Sequence, residues 1–164
     1  MEELQIHGPR FRAVPAMRQR APELQACLDG APGYFEQLEG APAAPQAAAR
    51  LLADAEADPD RRVFLLEPRQ GGPPLGLLDL YLHQPEPLVA HVGLLLLREA
   101  MQGRGLGREV VEGLSRALAA AGFAELRASV TDETLGAREF WERLGFAPAG
   151  RLERGVTVYE LRLG

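Results

Sequence analysis

A strand, a glycine-rich turn and a helix follow one another in residues 88–122, and this succession constrains the fold more than any other feature of the sequence. Residues 88–97 are apolar on both faces, which is typical of a central strand covered by helices. Glycines at positions 103, 105 and 107 predict a turn after this strand. Residues 105–122 then carry an apolar side chain at every fourth position, as an amphipathic helix does: Leu106, Val110, Leu114 and Leu118. We therefore expect a helix that begins beside the end of a buried strand.

Further strands and helices are predicted on both sides of this segment. Strand-length apolar runs lie at 11–14, 62–67, 75–82, 124–130, 146–152 and 155–163, and helical spacing appears at 22–29 and 46–58. Asp132 is a plausible N-cap for one more helix, which Gly145 would end. Residues 30–45 are rich in Gly, Pro and Ala, so we interpret them as a structured loop. The order β-α-α-β-β-β-α-β-α-β-β predicts a single α/β domain over residues 1–164, with a mixed sheet and helices on its faces.

The composition excludes several classes of chemistry. All 18 basic residues are arginine, so the sequence has no lysine for a Schiff base, for pyridoxal phosphate or for a nucleotide-binding P-loop. One cysteine, Cys27, and three scattered histidines predict no metal site, and Cys27 is expected to be a buried structural residue. A net charge of −5 argues against nucleic acid as a partner. Because we find no membrane-length apolar run and no secretory signal, we expect a cytoplasmic protein without a membrane partner.

The glycine-rich turn predicts a binding site for an anion. A turn that leads from a strand into a helix directs free backbone N–H groups and the positive end of the helix dipole at one place, which suits phosphate. Glycines lack the β-carbon that would hold a pyrophosphate away, and Arg104 and Arg108 add positive charge. A turn that only lets the helix start close to the strand is the alternative. The dinucleotide fingerprint G-x-G-x-x-G does not fit, because Arg108 occupies its third glycine position.

Gln102, Gly105 and Gly107 fit the pattern Q/R-x-x-G-x-G/A, and in this pattern the chain resembles the GCN5-related N-acetyltransferase (GNAT) family. Residues 134–146 are similar to a second segment of that family, N-x-x-A-x-x-x-Y-x-x-x-G-F. The order of strands, helices and motifs over residues 88–150 also resembles the family. Together the two motifs are fairly specific.

The resemblance implies a fold, a reaction and a set of contacts. The implied fold is a mostly antiparallel central sheet of about seven strands with helices on both faces. The implied reaction is direct transfer of an acetyl group from acetyl-CoA, without a metal, to a primary amine of a small molecule or peptide. A homodimer is compatible with the family. The residues expected to bind the coenzyme are Leu95, Leu97, Gln102, Gly103, Arg104, Gly105, Leu106, Gly107, Arg108, Thr134, Arg138 and Trp141.

Two positions depart from the family pattern. Thr134 occupies the usual asparagine position, so a hydroxyl would replace the amide there. Trp141 stands where many relatives have the tyrosine that protonates the departing coenzyme, and an indole N–H is no proton source near neutral pH. Tyr159 is a candidate substitute acid, and an ordinary aromatic residue of a strand is the simpler interpretation. The missing tyrosine makes a non-catalytic acyl-CoA-binding module the first alternative. The second is a nicotinamide-dependent oxidoreductase that uses the same glycine loop.

The reaction needs a proton acceptor, donors for the developing oxyanion and a tolerable leaving group. By position, the resemblance assigns the oxyanion donor to the backbone N–H of Leu95 and the base to His91. These two residues are an even number of positions apart, so both side chains are expected on one face of the strand. If the preceding turn is centred on Pro85, Asp79 lies opposite His91 and its carboxylate could orient the imidazole. The alternative is a structural polar pair near the end of the sheet.

The resemblance implies that residues 30–45 and the turn at residues 153–155 flank the groove for the acceptor. Within the first segment, Tyr34, Phe35 and Glu36 could offer an aromatic wall and a negative charge to a cationic amine. The alternative is a loop whose aromatic residues pack on their own domain.

Overall fold

The computed structural model describes residues 3–132, 134, 136–153 and 155–164, with the backbone alone at 151–153. Its strands are β1 (Phe11–Pro15), β2 (Arg61–Pro68), β3 (Gly76–Leu82), β4 (Val89–Leu97), β5 (Glu125–Thr131), β6 (Ala147–Glu153) and β7 (Val156–Arg162). Its α-helices are α1 (Ala21–Asp29), α2 (Pro32–Glu39), α3 (Ala47–Glu56), α4 (Leu106–Ala120) and α5 (Ala137–Arg143). Two short 3₁₀ segments lie at Arg18–Arg20 and Glu99–Met101.

All seven strands belong to one sheet in the order β1-β2-β3-β4-β5-β7-β6. Neighbouring strands are antiparallel except β4 and β5, which are parallel because α4 connects them as a crossover helix. The predicted α/β class, the mixed and mostly antiparallel sheet and its seven strands are therefore confirmed. No helix in the described ranges is long and apolar enough to cross a membrane.

Each face of the sheet is covered by its own helices, as predicted. On one face, the apolar stripe of α4 packs with Leu78, Leu80 and Val92, and α5 adds Trp141 to the same core cluster. On the other face, apolar residues of α1, α2 and α3 pack against Leu65, Leu77 and Leu96. These two core clusters, called below the α4 core and the α1–α3 core, hold the central strand between them.

Two local predictions are wrong. Residues 30–45 contain the helix α2, which begins at Pro32 and ends at Glu39. The next residue, Gly40, has a left-handed backbone conformation. This arrangement of an early proline and a terminal glycine is a helix signal that the Gly-rich and Ala-rich composition obscured. Asp132 does not cap the following helix, because α5 starts at Ala137 with Gly136 at its N-cap position. The turn at 153–155 includes Arg154, which lies outside the described residues.

Candidate active site

A β-bulge in β4 sets the geometry of the site. The register between β3 and β4 pairs Leu80 with Val92 but Asp79 with Leu94, so Gly93 is the extra residue. A β-carbon on Gly93 would lie 2.7 Å from Cε2 of Tyr81, which makes glycine the residue that fits this position. The extra residue reverses the alternation of side chains along the strand.

The reversal overturns the prediction that His91 and Leu95 share a face. His91 pairs with Tyr81 and therefore lies on the face of the α1–α3 core, whereas Leu95 packs with the α4 core. Counting alternate residues assigns the wrong face beyond a bulge, because one added residue moves every later side chain to the opposite face.

Beyond the bulge, β4 and β5 separate. Their described ladder joins Val89–Val92 to Glu125–Ala128 and goes no further. A cavity of about 920 Å³ occupies the space between the diverging strands. It passes through the sheet, because its lining includes residues from both cores.

The cavity has two halves. The α4 half is lined by Leu95, Leu97, Gln102, Gly107, Phe140 and Trp141. The α2 half is lined by Gly33, Tyr34, Gln37 and Leu38. Ser129 also lines the α2 half, because its neighbours Ala128 and Val130 point into the opposite, α4 core.

The glycine loop, residues 102–107, forms the start of α4 beside the α4 half. Gly103 and Gly105 have φ angles of 73° and 78°, and Gly105 is the N-cap residue of the helix. These left-handed conformations turn the chain sharply into α4, whose first N–H groups have no partner within the helix. The side-chain amide of Gln102 donates to the carbonyl oxygen of Leu97 at 3.0 Å and so ties the loop to the end of β4. The predicted strand–loop–helix geometry is present.

Two contacts of the loop were missed from the sequence. A β-carbon on Gly107 would lie 3.0 Å from Cε1 of Phe140, so this glycine lets α5 approach α4 closely. Arg10 reaches the loop from the segment before β1, and its Nη2 would lie 3.6 Å from a β-carbon on Gly105. Its Nε donates to Glu109 at 2.8 Å. Only tertiary structure brings Arg10 to a loop so distant along the chain, so no local signal reveals it.

The other residues predicted to bind the coenzyme differ in their exposure and in their distance from the cavity. Leu106 is buried in the α4 core, so only its backbone can face a ligand. Arg104 is exposed, and exposed Arg108 forms an ion pair with Glu112 at 3.6 Å. Thr134 lines the cavity, and its hydroxyl group contacts that of Thr131.

Trp141 is buried and lines the cavity while its ring packs edge-on against Phe140 and Phe146. Arg138 and Tyr159 line a smaller neighbouring depression of about 170 Å³ instead. Tyr159 is buried, and its hydroxyl group donates to Glu142 across a long 3.5 Å contact. The structure thus favours the simpler interpretation of Tyr159 as an aromatic residue of a strand.

The predicted pairing of Asp79 with His91 is wrong. Asp79 lies opposite Leu94 and accepts two hydrogen bonds from Arg61, at 2.9 Å to Nε and 2.7 Å to Nη2. The prediction placed the turn one residue too early and could not include the bulge. Arg61 comes from β2, two strands away from His91, and its guanidinium also lies over the ring of Tyr81.

His91 contacts β5 instead. Its Nε2 lies 3.0 Å from Oγ of Ser129, and Arg127 is its register partner. Burial, and then the charge of Arg127, lower the pKa of the imidazole below its ordinary range. The neutral ring at neutral pH can accept a proton. Ser129 was missed because a single serine in a strand carries no motif.

Other reactive groups do not compete with this site. Among the described residues, no group of three or more His, Cys, Asp or Glu side chains could hold a metal. Cys27 is buried, as predicted, and burial raises the pKa of its thiol to about 11. A thiol in this state is a poor nucleophile.

Comparison with known proteins agrees with this geometry. The model of the acetyltransferase (GNAT) family matches residues 26–146. The fold is similar to that of an acetyltransferase from Thermus thermophilus, with 33% sequence identity, a TM-score of 0.86 and coverage of 96% of this chain and 100% of that one. A search of curated proteins found no match.

More distant structures share the fold alone. A GCN5-related N-acetyltransferase from Brucella melitensis is 20% identical, with a TM-score of 0.79 and coverage of 99% of this chain and 80% of that one. The GNAT domain of S. lividans PAT is 18% identical, with a TM-score of 0.72 and coverage of 99% and 96%. The family model spans the glycine loop and the bulged strand, and on that match the chain belongs to the GNAT family of acetyltransferases.

Proposed function

We propose that the protein transfers an acetyl group from acetyl-CoA to a primary amine of a small molecule or peptide by direct attack. The observation that carries the proposal is the cavity, which runs through the sheet from the glycine loop to Ser129, whose Oγ lies 3.0 Å from Nε2 of His91. A coenzyme on one side and an amine on the other could meet inside such a passage without a covalent enzyme intermediate.

The α4 half suits the coenzyme. The cavity volume lies within the range of small-molecule sites, roughly 300–1,000 Å³. The N-terminus of α4 suits the pyrophosphate, with Gly103 and Gly105 leaving the backbone bare. Arg104 adds positive charge in the loop itself, whereas the charge of nearby Arg10 is paired with Glu109. Phe140 and Trp141 provide apolar surface for the pantetheine arm.

Bound acetyl-CoA would supply an acyl thioester. Backbone N–H groups of β4 beyond the bulge, that of Leu95 among them, would stabilise negative charge on the thioester oxygen. His91 would take up the proton of the amine. A thiol with an ordinary pKa near ~8.5 can leave without a strong acid, so neither Trp141 nor Tyr159 has to donate a proton.

The α2 half is the proposed acceptor site. Tyr34 and Leu38 of α2 offer apolar surface, and Gln37 offers an amide. Tyr34 also packs edge-on against Phe35, which is buried in the α1–α3 core, so the wall has structural support. These contacts favour an amine that carries an apolar or aromatic body.

The test is a thiol-release assay with acetyl-CoA and a panel of amines, including aryl-alkyl amines, polyamines and peptides with a free N-terminus. We expect saturable release with at least one amine and acetylation of its nitrogen by mass spectrometry. Binding of acetyl-CoA by calorimetry without release from any amine would favour the non-catalytic module instead. Stabilisation by a nicotinamide dinucleotide but not by acetyl-CoA would contradict the proposal altogether.

The pH dependence of kcat/KM for the amine gives a second prediction. The neutral imidazole is the active form of His91, and its pKa lies below the ordinary value of about 6.5. We expect the rate to be constant through neutral pH and to fall only as the pH drops below 6.5. His91→Ala should lack this fall in rate at low pH, which we call the acid limb. An unchanged acid limb in that variant would exclude His91 as the base.

The same shift has a consequence for stability with a defined sign. Because the folded pKa of His91 lies below the unfolded one, the unfolded chain binds this proton more readily. The contribution of His91 to stability is therefore full above about pH 6.5 and is lost as the pH falls through the folded pKa.

A further inference from the structure

Ser129 separates His91 from the cavity. Ser129 is exposed on β5 and lines the α2 half, whereas the described lining of the cavity does not include His91, which is partly buried beside it. The two side chains meet at 3.0 Å between Oγ of Ser129 and Nε2 of His91. An amine held in the cavity therefore meets the serine hydroxyl group before it meets the imidazole.

We propose that Ser129 is a catalytic residue that relays the proton of the acceptor amine to His91. The proposal rests on the proposed function, since it requires an amine in the α2 half. It assigns a reacting role to a residue outside the two family motifs and explains how a partly buried histidine can act on a substrate that it does not touch.

Charged groups lie near His91 on both neighbouring strands. Arg127 lies across from it on β5 and forms ion pairs with Glu125, Glu160 and Glu86. Tyr81 lies across from it on β3, next to the Arg61–Asp79 pair.

Burial, and then the positive charge of Arg127, lower the pKa of the imidazole, so the ring is neutral at rest. His91 can therefore present an unprotonated Nε2 to the hydroxyl group of Ser129 and become protonated only when the reaction delivers a proton. The Nδ1 atom then carries the ring proton.

Two protons move in one step. The N–H bond of the ammonium group breaks as its proton moves to Oγ of Ser129, and the original hydroxyl proton moves from Oγ to Nε2 of His91. Ser129 ends as a neutral hydroxyl group, the amine becomes nucleophilic and His91 becomes an imidazolium. Water then removes this proton, since His91 is only partly buried. No oxidant, reductant or further group is needed.

A structural role for Ser129 would be to fix the ring of His91 and nothing more. The two roles differ in what they predict for the pH profile. A fixing contact, once removed, leaves His91 as the base and leaves the acid limb in place. A relay, once removed, disconnects His91 from the amine, so the rate falls and the acid limb disappears with it.

The experiment compares Ser129→Ala, Ser129→Thr, His91→Ala and the double variant with the wild type, using the most active amine of the panel. We expect Ser129→Ala and His91→Ala each to lower kcat about tenfold or more, with KM for acetyl-CoA within about twofold. The double variant should be no worse than the poorer single variant, because the two residues act as one unit. Ser129→Thr keeps the hydroxyl group and should retain most of the activity.

The matched control is Ser115→Ala, which removes the only other serine of the sequence. Ser115 lies on α4 and donates to the carbonyl oxygen of Val111 at 2.8 Å, so its loss should leave kcat unchanged. Nitrogen-15 NMR of the histidine rings adds a readout that is independent of turnover. We expect Nε2 of His91 to be the unprotonated nitrogen in the wild type at neutral pH.

Three results would overturn the relay. They are a Ser129→Ala enzyme with wild-type kcat, a Ser129→Ala enzyme that keeps the acid limb of the wild type, and a double variant whose loss is the product of the single losses. A wild-type enzyme that acetylates no amine would instead overturn the proposed function, so the two failures are distinguishable.

Discussion

Gly105→Val is expected to abolish useful binding of acetyl-CoA while the protein stays folded. Gly105 has a φ angle of 78°, which is a genuine outlier for a β-branched residue. The loop must therefore change its backbone angles, and the N–H groups at the start of α4 then lose their common direction. We expect the dissociation constant to rise about 100-fold to 1,000-fold, equivalent to roughly 3–4 kcal/mol, by isothermal titration calorimetry.

Gly122→Val is the matched control for this change. Gly122 lies just beyond the other end of α4, a helix about 22 Å long at 1.5 Å per residue, and its φ angle is 90° with open space around a β-carbon. Valine imposes a similar backbone strain there but does not touch the glycine loop. If Gly122→Val weakened binding as much as Gly105→Val, the effect would come from general destabilisation and the glycine loop would not be the coenzyme site.

Asp79→Ala is expected to produce the largest loss of stability. The side chains of Asp79 and Arg61 are only 6% and 13% exposed, and they form a bidentate ion pair between β2 and β3. Removing one partner leaves a buried charge without compensation, which typically costs about 3–5 kcal/mol. Since a domain of this kind has about 5–15 kcal/mol in total, urea denaturation should show a large fall in the midpoint.

A double variant tests whether the loss of stability comes from the unpaired buried charge or from altered packing. Asp79→Leu with Arg61→Met replaces the pair by apolar groups, and such replacements are often neutral or stabilising. We expect it to recover most of the stability that Asp79→Ala loses. Equal losses in both variants would mean that packing around Gly93 and Tyr81, and not an uncompensated charge, is the source of the effect.

The glycine loop and its neighbours could be predicted because their signals are local. The apolar run before residue 98, the glycines at 103–107 and the four-residue repeat of α4 each specify one element and also their order. That order forces the loop to lie at the end of a central strand. The family resemblance named the residues expected to bind the coenzyme, and Leu95, Leu97, Gln102 and Gly107 are among those that line the cavity.

The region around His91 could not be predicted because its geometry depends on a single extra residue. The bulge at Gly93 shifts the register by one position and sends His91 and Leu95 to opposite faces. Nothing in a run of apolar residues marks which one is unpaired. Asp79 finds its partner on a third strand, and Ser129 meets His91 only because β4 and β5 are parallel neighbours.

The sheet consists of two groups of strands that are joined by the short ladder between β4 and β5. Each group comes from one continuous stretch of chain. β1 to β4 form a meander in sequence order, and β5, β7 and β6 form a second group near the C-terminus. Each group can act as a cooperative unit of unfolding, a foldon, with the short β4–β5 ladder as the backbone connection between them. A ligand that fills the space between the strands contacts both groups, so its binding should slow amide hydrogen exchange in both at once.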